Sequence, residues 1–168
     1  MFILRIKQVA VLIITLLLLA SCGNRNEIKA QDYLGEIYSI ALDSIMEKDE
    51  ALSNEMEFIA IDLKNSDELT GQDKEEITKY FHEKYKVEVM EASYEELKEK
   101  GLYNPDTLVL KGVLLKIENV DFVSNATNDF IFEGAKYRAG DGAVGVKGIV
   151  YFKNDRWKLK ESKETWIS

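Results

Sequence analysis

Few residues in this chain have the chemistry for catalysis or metal binding, and they are scattered. His82 is the only histidine and Cys22 the only cysteine. Zinc sites of the usual ligand sets need several such side chains, and Cys-His catalysis needs a free thiol beside an imidazole. His82 lies beside Lys79, Glu83 and Lys86, off the apolar stripe that runs from Ile77 to Phe81, and reads as a solvent-facing helix residue. The 30 acidic residues make carboxylate pairs unavoidable, and Glu75-Glu76, Glu95-Glu96 and Asp129/Glu133 are the candidates. General acid–base work needs one carboxyl raised by burial and a second held ionised. Each of these pairs lies in a polar stretch and reads as a charged, solvated face. No segment has the spaced oxygen ligands and central glycine of a calcium loop. Gly140-Asp-Gly142 has neither a following helix nor a Lys-Ser/Thr, so it reads as a β-turn rather than a phosphate cradle. The chain is therefore expected to hold no catalytic set, no metal and no cofactor.

The aromatic residues offer more. Phe130, Phe132, Tyr137, Tyr151, Phe152, Trp157 and Trp166 crowd the last third of the chain. Tyrosine and tryptophan join a large apolar face to a polar tip and suit recognition. Alternation assigns Phe152 and Trp157 to the core and leaves Tyr151 and Trp166 as the candidate ligand or partner surface. Gly145 and Gly148 interrupt the same region, where a missing side chain marks close packing or space for a ligand.

The elements that would position these residues fall into two halves. In 31–52, Leu34, Ile37, Tyr38, Ala41, Ile45 and Met46 recur at three- and four-residue spacing, predicting an amphipathic helix. The apolar run 58–63 fits a strand or a helical piece. A second helix over 73–84 presents Ile77, Tyr80 and Phe81, with Thr70 or Asp73 as its cap. A short strand at 86–90 follows. Ser93-Tyr-Glu-Glu96 has capping-box spacing, and Gly101 closes that short helix. After the only proline, Pro105, the chain turns to β-structure. In 107–121 the apolar phase slips at Gly112 and near Asn119, as bulges in a curved sheet produce. Strands over 130–138 and 144–152 follow, with turns at Ala139–Gly142 and Asn154-Asp155. A closing strand carries Trp157, Leu159, Thr165 and Ile167 on one face. The fold class is α+β, with N-terminal helices packed on a curved antiparallel sheet.

The start of the chain is a separate matter. Arg5 and Lys7 precede a twelve-residue apolar run, Val9–Ala20. As a helix it would rise about 18 Å, against roughly 30 Å of bilayer hydrocarbon, so it reads as an export signal and not a span. It ends in Leu19-Ala20-Ser21-Cys22, which resembles the lipobox of bacterial lipoproteins. The resemblance implies cleavage before Cys22 and diacylglyceryl attachment to its thiol. That would account for a lone cysteine in an exported chain and remove the thiol from chemistry. The family implies a location on the extracytoplasmic face of the cell membrane. Gly23 follows the cysteine, where an aspartate would suggest the inner-membrane retention rule of Gram-negative lipoproteins.

The expected organisation is a leader over 1–21, a lipidated tether over 22–30 and one domain over 31–168. Losing Arg5 and Lys7 leaves 20 basic against 30 acidic residues, a balance that excludes nucleic acid as a partner and disfavours direct docking on anionic lipid. The order of helices then curved strands resembles the cystatin-like or NTF2-like cone, in which a bent sheet wraps a long helix. The chain is also similar to small Bacillus-type lipoproteins, which imply an address but no activity. The expected function is a non-enzymatic, membrane-anchored binding module for an envelope protein or small ligand. A carboxylate-dependent hydrolase acting at the envelope is the alternative. A substrate-binding subunit of an importer, the third possibility, is a two-lobed and far longer protein.

Overall fold

The computed structural model describes residues 29–123, 128–140 and 142–168. The expected leader, Cys22 and most of the expected tether lie outside them, as do residues 124–127 and 141. A 3-10 turn, Ala30–Tyr33, leads into helix α1, Leu34–Met46. All six residues of its predicted apolar stripe are buried. The helix is shorter than its periodicity suggests, because Asp49 takes a left-handed conformation (φ 42°). Beyond it only a second 3-10 turn, Glu50–Ser53, remains helical.

Strand β1, Phe58–Asp62, resolves the ambiguous apolar run. Its side chains are buried on both faces, Ile59 and Ile61 on one and Phe58 and Ala60 on the other. Burial on both sides is the mark of a parallel strand, and β1 pairs in parallel with both its neighbours. One is β2, Glu88–Glu91, reached through helix α2, Gly71–Tyr85; the other is β4, Val109–Val123. Helix α3, Tyr94–Glu99, and the short β3, Tyr103–Asn104, lie between β2 and β4 in sequence. Strands β5, Asp129–Ala139, β6, Ala143–Phe152, and β7, Trp157–Ile167, complete the open sheet in the order β2-β1-β4-β5-β6-β7, with β3 on β4. The α+β class holds, with one correction: only β4 to β7, with β3, pair in antiparallel fashion, and the β1–α2–β2 unit makes the sheet mixed.

The phase slips in β4 are register shifts between Val109 and Leu114 and between Ile117 and Asn119. Strand β7 carries two more, which the sequence did not reveal. They break its alternation, so that Trp166 comes to pair with Gly145 and Thr165 does not continue the face begun by Trp157.

Helices α1 and α2 cover one face of the sheet over the main core, which includes Phe81, Phe130, Phe132 and Trp157. Helix α3 covers part of the other over a smaller cluster containing Leu97, Leu110 and Leu114. The face of the sheet beneath α1 is thus filled with side chains. Local capping sets both later helices. At α3, Ser93 and Glu96 form a capping box, and a Schellman pair ends the helix, Leu102 N–H to Leu97 carbonyl (2.9 Å) and Gly101 N–H to Lys98 carbonyl (3.0 Å). Gly101 supplies the positive φ of 71° this ending requires.

At α2, Thr70 and Asp73 form the second box, and Asp73 has another role. Its Oδ2 accepts from Thr70 N–H (2.8 Å), while its Oδ1 accepts from Gly35 N–H in the first turn of α1 (3.2 Å). One carboxylate therefore serves the free donors of two helices. Burial works against its charge, but the Thr70 hydroxyl and the Thr70 and Gly35 N–H groups hold the carboxyl below the ordinary aspartate value. Replacing it, Asp73→Ala, should cost about 1–2 kcal/mol at neutral pH in urea titrations. A depressed carboxylate stabilises above its unfolded pKa and loses that contribution as pH falls through the folded one. The gap between wild type and variant should accordingly close below 3.8, the ordinary aspartate value. A gap that persists in acid would exclude the charged cap as its cause.

Candidate functional site

The aromatic residues singled out in the sequence do not form one surface. Tyr151 and Trp166 do share the face of the sheet opposite α1. Tyr151 pairs with Lys158 next to the β6–β7 hairpin, and Trp166 with Gly145 near the other end of β6. Six residues of strand separate these rows, about 20 Å. Tyr151 is half-buried, while Trp166 is 42% exposed. The two glycines are seats for rings and not openings for a ligand. A Cβ on Gly145 would meet the Trp166 indole, and one on Gly148 would meet the Phe132 ring and, at 2.8 Å, the Glu161 carbonyl.

A groove of ≈ 420 Å³ lies at the end of the sheet where β5 turns into β6, and Trp166, though not part of its lining, is next to one of its walls. Its ring lies 6.4 Å from that of Tyr137, which lines the groove with Leu114 and Lys116 of β4. Asp62, at the end of β1, and Tyr94 and Lys98 of α3 complete the walls. Helical spacing from Tyr94 to Lys98 sets the ammonium 4.7 Å from the Tyr94 ring centre, and the Tyr103 ring centre lies 5.3 Å from the same ammonium. The two tyrosine rings meet edge to face at 6.0 Å. On the opposite wall the Lys116 ammonium is 3.8 Å from Asp62. Tyr137 donates to Glu118 at 3.0 Å; burial, then this hydrogen bond, pushes its phenol up to about 12. The groove thus offers aromatic faces, two ammonium groups and carboxylates at Asp62 and Glu95 over the apolar Leu114. Such a surface can hold a ligand carrying both charge and apolar area.

Of the lining residues the sequence points to Tyr137, to Glu95 as half of a carboxylate pair and to Gly140 as part of a turn, with Trp166 beside them. Two local signals pointed further: a Tyr-Lys pair four apart on a short helix, and a charged Asp62 closing an apolar strand. That they converge depends on strand order, which no short window of sequence contains.

The other candidates resolve individually. His82 is exposed, with Nδ1 2.9 Å from the Val87 carbonyl. Glu133 pairs with Lys147 at 2.7 Å and Asp129 with Lys160 at 3.2 Å. Glu96 caps α3, held down to about 2 by the Ser93 N–H and then by Lys64. Burial, and then the nearby charge of Glu76, raises the Glu36 carboxyl from its ordinary value. It lies with Ser39, Lys79 and Tyr80 in a ≈ 390 Å³ groove between α1 and α2. The Ser39 hydroxyl is committed to the Gly35 carbonyl at 2.7 Å. Among the described residues no three His, Cys, Asp or Glu are grouped to hold a metal ion, and no helix is long and apolar enough to cross a membrane.

Fold and groove define an open-faced α+β domain with an aromatic, charged groove at one end of its sheet. Comparison with protein-family models, curated proteins and solved structures finds no match.

Proposed function

We propose that this protein is a lipid-anchored binding module of the bacterial envelope. It is held at the extracytoplasmic face of the membrane through Cys22 and binds a small or peptidic ligand in the groove beneath Tyr94 and Lys98. The observation that carries the binding half is the groove itself, where the Lys98 ammonium lies against the adjoining Tyr94 and Tyr103 rings and the walls include the Lys116–Asp62 pair. The anchored half rests on the Leu19-Ala20-Ser21-Cys22 sequence after an apolar leader.

Each half has its own test. Mass spectrometry of the native product should find Cys22 at the N-terminus with a diacylglyceryl thioether. A free thiol or an unprocessed leader would overturn the anchor. Screening envelope peptides and glycan fragments by tryptophan fluorescence should find a ligand that perturbs Trp166. In Tyr94→Ala/Lys98→Ala its affinity should fall at least tenfold, or about 1.4 kcal/mol. A ligand whose binding ignores that double change would remove the groove as the working surface.

One observation favours a second reading, a carboxylate-dependent hydrolase: the raised carboxyl of Glu36 beside Glu76. It requires that Glu36→Gln abolish a measurable hydrolytic turnover.

A further inference from the structure

The charges of the groove narrow the class of ligand it fits. Among the described residues four charged side chains line it, Lys98 and Lys116 against Asp62 and Glu95. Glu118, which accepts from Tyr137, adds one more acid beside it. A ligand with net charge of either sign therefore meets repulsion along with attraction, and gains little from the site as a whole. A neutral ligand rich in hydroxyl groups uses both signs. Each hydroxyl donates one hydrogen bond and accepts others, so it can give to Asp62 or Glu95 and take from Lys98 or Lys116. Lys98 is free to serve it: among the described residues its ammonium meets the Tyr94 and Tyr103 rings and no carboxylate.

The floor does not suit a peptide main chain. Asp62 pairs with Lys116 across β1 and β4, and Leu114 with Tyr137 across β4 and β5, so the backbone groups of these strands are engaged with one another. Strand addition needs a free sheet edge, and β1, β4 and β5 are interior strands. Beside the groove stands a ring suited to sugars. Gly145 has no side chain, and the Trp166 indole lies over it: the three atoms nearest an added Cβ, Nε1, Cε2 and Cδ1, all belong to the five-membered ring. Backbone thus supports one side of the ring, while the residue stays 42% exposed. Tyr137 flanks it at 6.4 Å, tilted by 55°. The face of an aromatic ring is its negative part, so the weakly positive C–H groups on one side of a pyranose lie well on it. The sugar hydroxyls then point outward, toward polar partners.

We propose that the groove and the Trp166 ring together bind a neutral oligosaccharide, with one sugar stacked on Trp166 and hydroxyls of the chain shared among Lys98, Lys116, Asp62 and Glu95. The inference rests on the groove being the working surface, and it names the ligand that surface takes.

The native protein, purified in detergent, is titrated in a calorimeter with tetrasaccharides of equal length. Chitotetraose, cellotetraose and maltotetraose are the neutral probes; the deacetylated chitotetraose in its ammonium form and tetragalacturonate are the charged ones. A neutral chain should bind at least tenfold more tightly than either charged chain. Its affinity should change by less than about twofold between roughly 0.05 and 0.5 M salt, a range in which ionic attraction is screened away. Trp166→Ala should lower it at least tenfold, and Trp166→Phe, which keeps an aromatic face, by less. Gly145→Ala should act like Trp166→Ala, because the added carbon pushes the indole off the backbone; the obstacle is the end of a side chain, so the fold survives. Lys153→Ala at the β6–β7 hairpin should change nothing. Absence of binding by every neutral chain, an equally tight charged chain, or binding that ignores both Trp166→Ala and Gly145→Ala overturns the glycan. If peptides bind instead, with the loss in Tyr94→Ala/Lys98→Ala expected above, the groove stands and the glycan alone falls. If no ligand, sugar or peptide, responds to that double change, the groove falls as the working surface and this inference falls with it.

Discussion

Lys136→Met should destabilise the domain by about 3–5 kcal/mol, a large part of the stability of a domain this size. Lys136 is wholly buried, on the face of β5 that also carries Phe130 and Phe132. Its three N–H donors are shared among four oxygens, the carbonyls of Met46 (3.0 Å), Lys48 and Asp49 (2.9 Å) and the Ser53 hydroxyl (3.0 Å). The Met46 and Lys48 carbonyls lie where α1 stops, while the Asp49 carbonyl also accepts from Leu52 N–H (3.1 Å), and a cation is the natural partner for the negative end of a helix. Methionine keeps an apolar stem of similar length and removes every donor, so the Met46 and Lys48 carbonyls lose this partner, while Asp49 keeps Leu52 N–H. Urea unfolding at neutral pH should show the loss as a shifted midpoint with an unchanged slope. A shift worth less than about 1 kcal/mol would mean that water replaces the ammonium at little cost.

The same residue gives a pH signature of known sign. Burial pulls the amine down to about 8 from 10.5, against the opposing pull of Asp49, Glu50 and Glu164. Between those two values the unfolded chain binds more protons than the folded one, so this group makes the wild type gain stability as pH rises through that window. Lys136→Met lacks the group and should lack that part of the slope.

Lys136 also marks how far the sequence could be read. Strict alternation from Phe130 through Phe132 and Gly134 places it on the core face, so an inward lysine was legible, but its partners ninety residues earlier were not. Signals confined to a few residues carried through: the stripe of α1, the boxes at Thr70/Asp73 and Ser93/Glu96, and the bulges at Gly112 and Asn119. Each reflects a contact within one turn or one strand. The parallel pairing of β1 with two partners and the bulges of β7 depend on long-range register, to which the run Phe58–Leu63 and the alternation of Trp157–Ile167 are blind. The groove is of this second kind, because Asp62, Tyr94 and Tyr137 meet only after β1 has been placed beside β4.

That placement is what Gly112→Ala should break. A Cβ on Gly112 would run into the Phe58 backbone carbonyl and come within 2.6 Å of the Phe58 ring. A flexible side chain can swing aside, but here the obstacle is backbone, so β1 and β4 must separate. We expect a loss of about 3 kcal/mol or more. Gly71→Ala provides the control. It lies in the first turn of α2 with nothing within 4 Å of the added carbon, and should be neutral or stabilising by about 0.5–1 kcal/mol. The damage at Gly112 should also be local in hydrogen exchange. Amides of Ile59 to Ile61, along the β1–β4 seam, should lose protection before those of Phe130 to Ala135, which pair within the antiparallel half. Because Asp62 stands on one side of that seam and Leu114 and Lys116 on the other, the variant should lose ligand binding in the groove at temperatures where β5 to β7 remain folded. Uniform loss of protection across all strands would show instead that the seam and the antiparallel strands unfold as one unit.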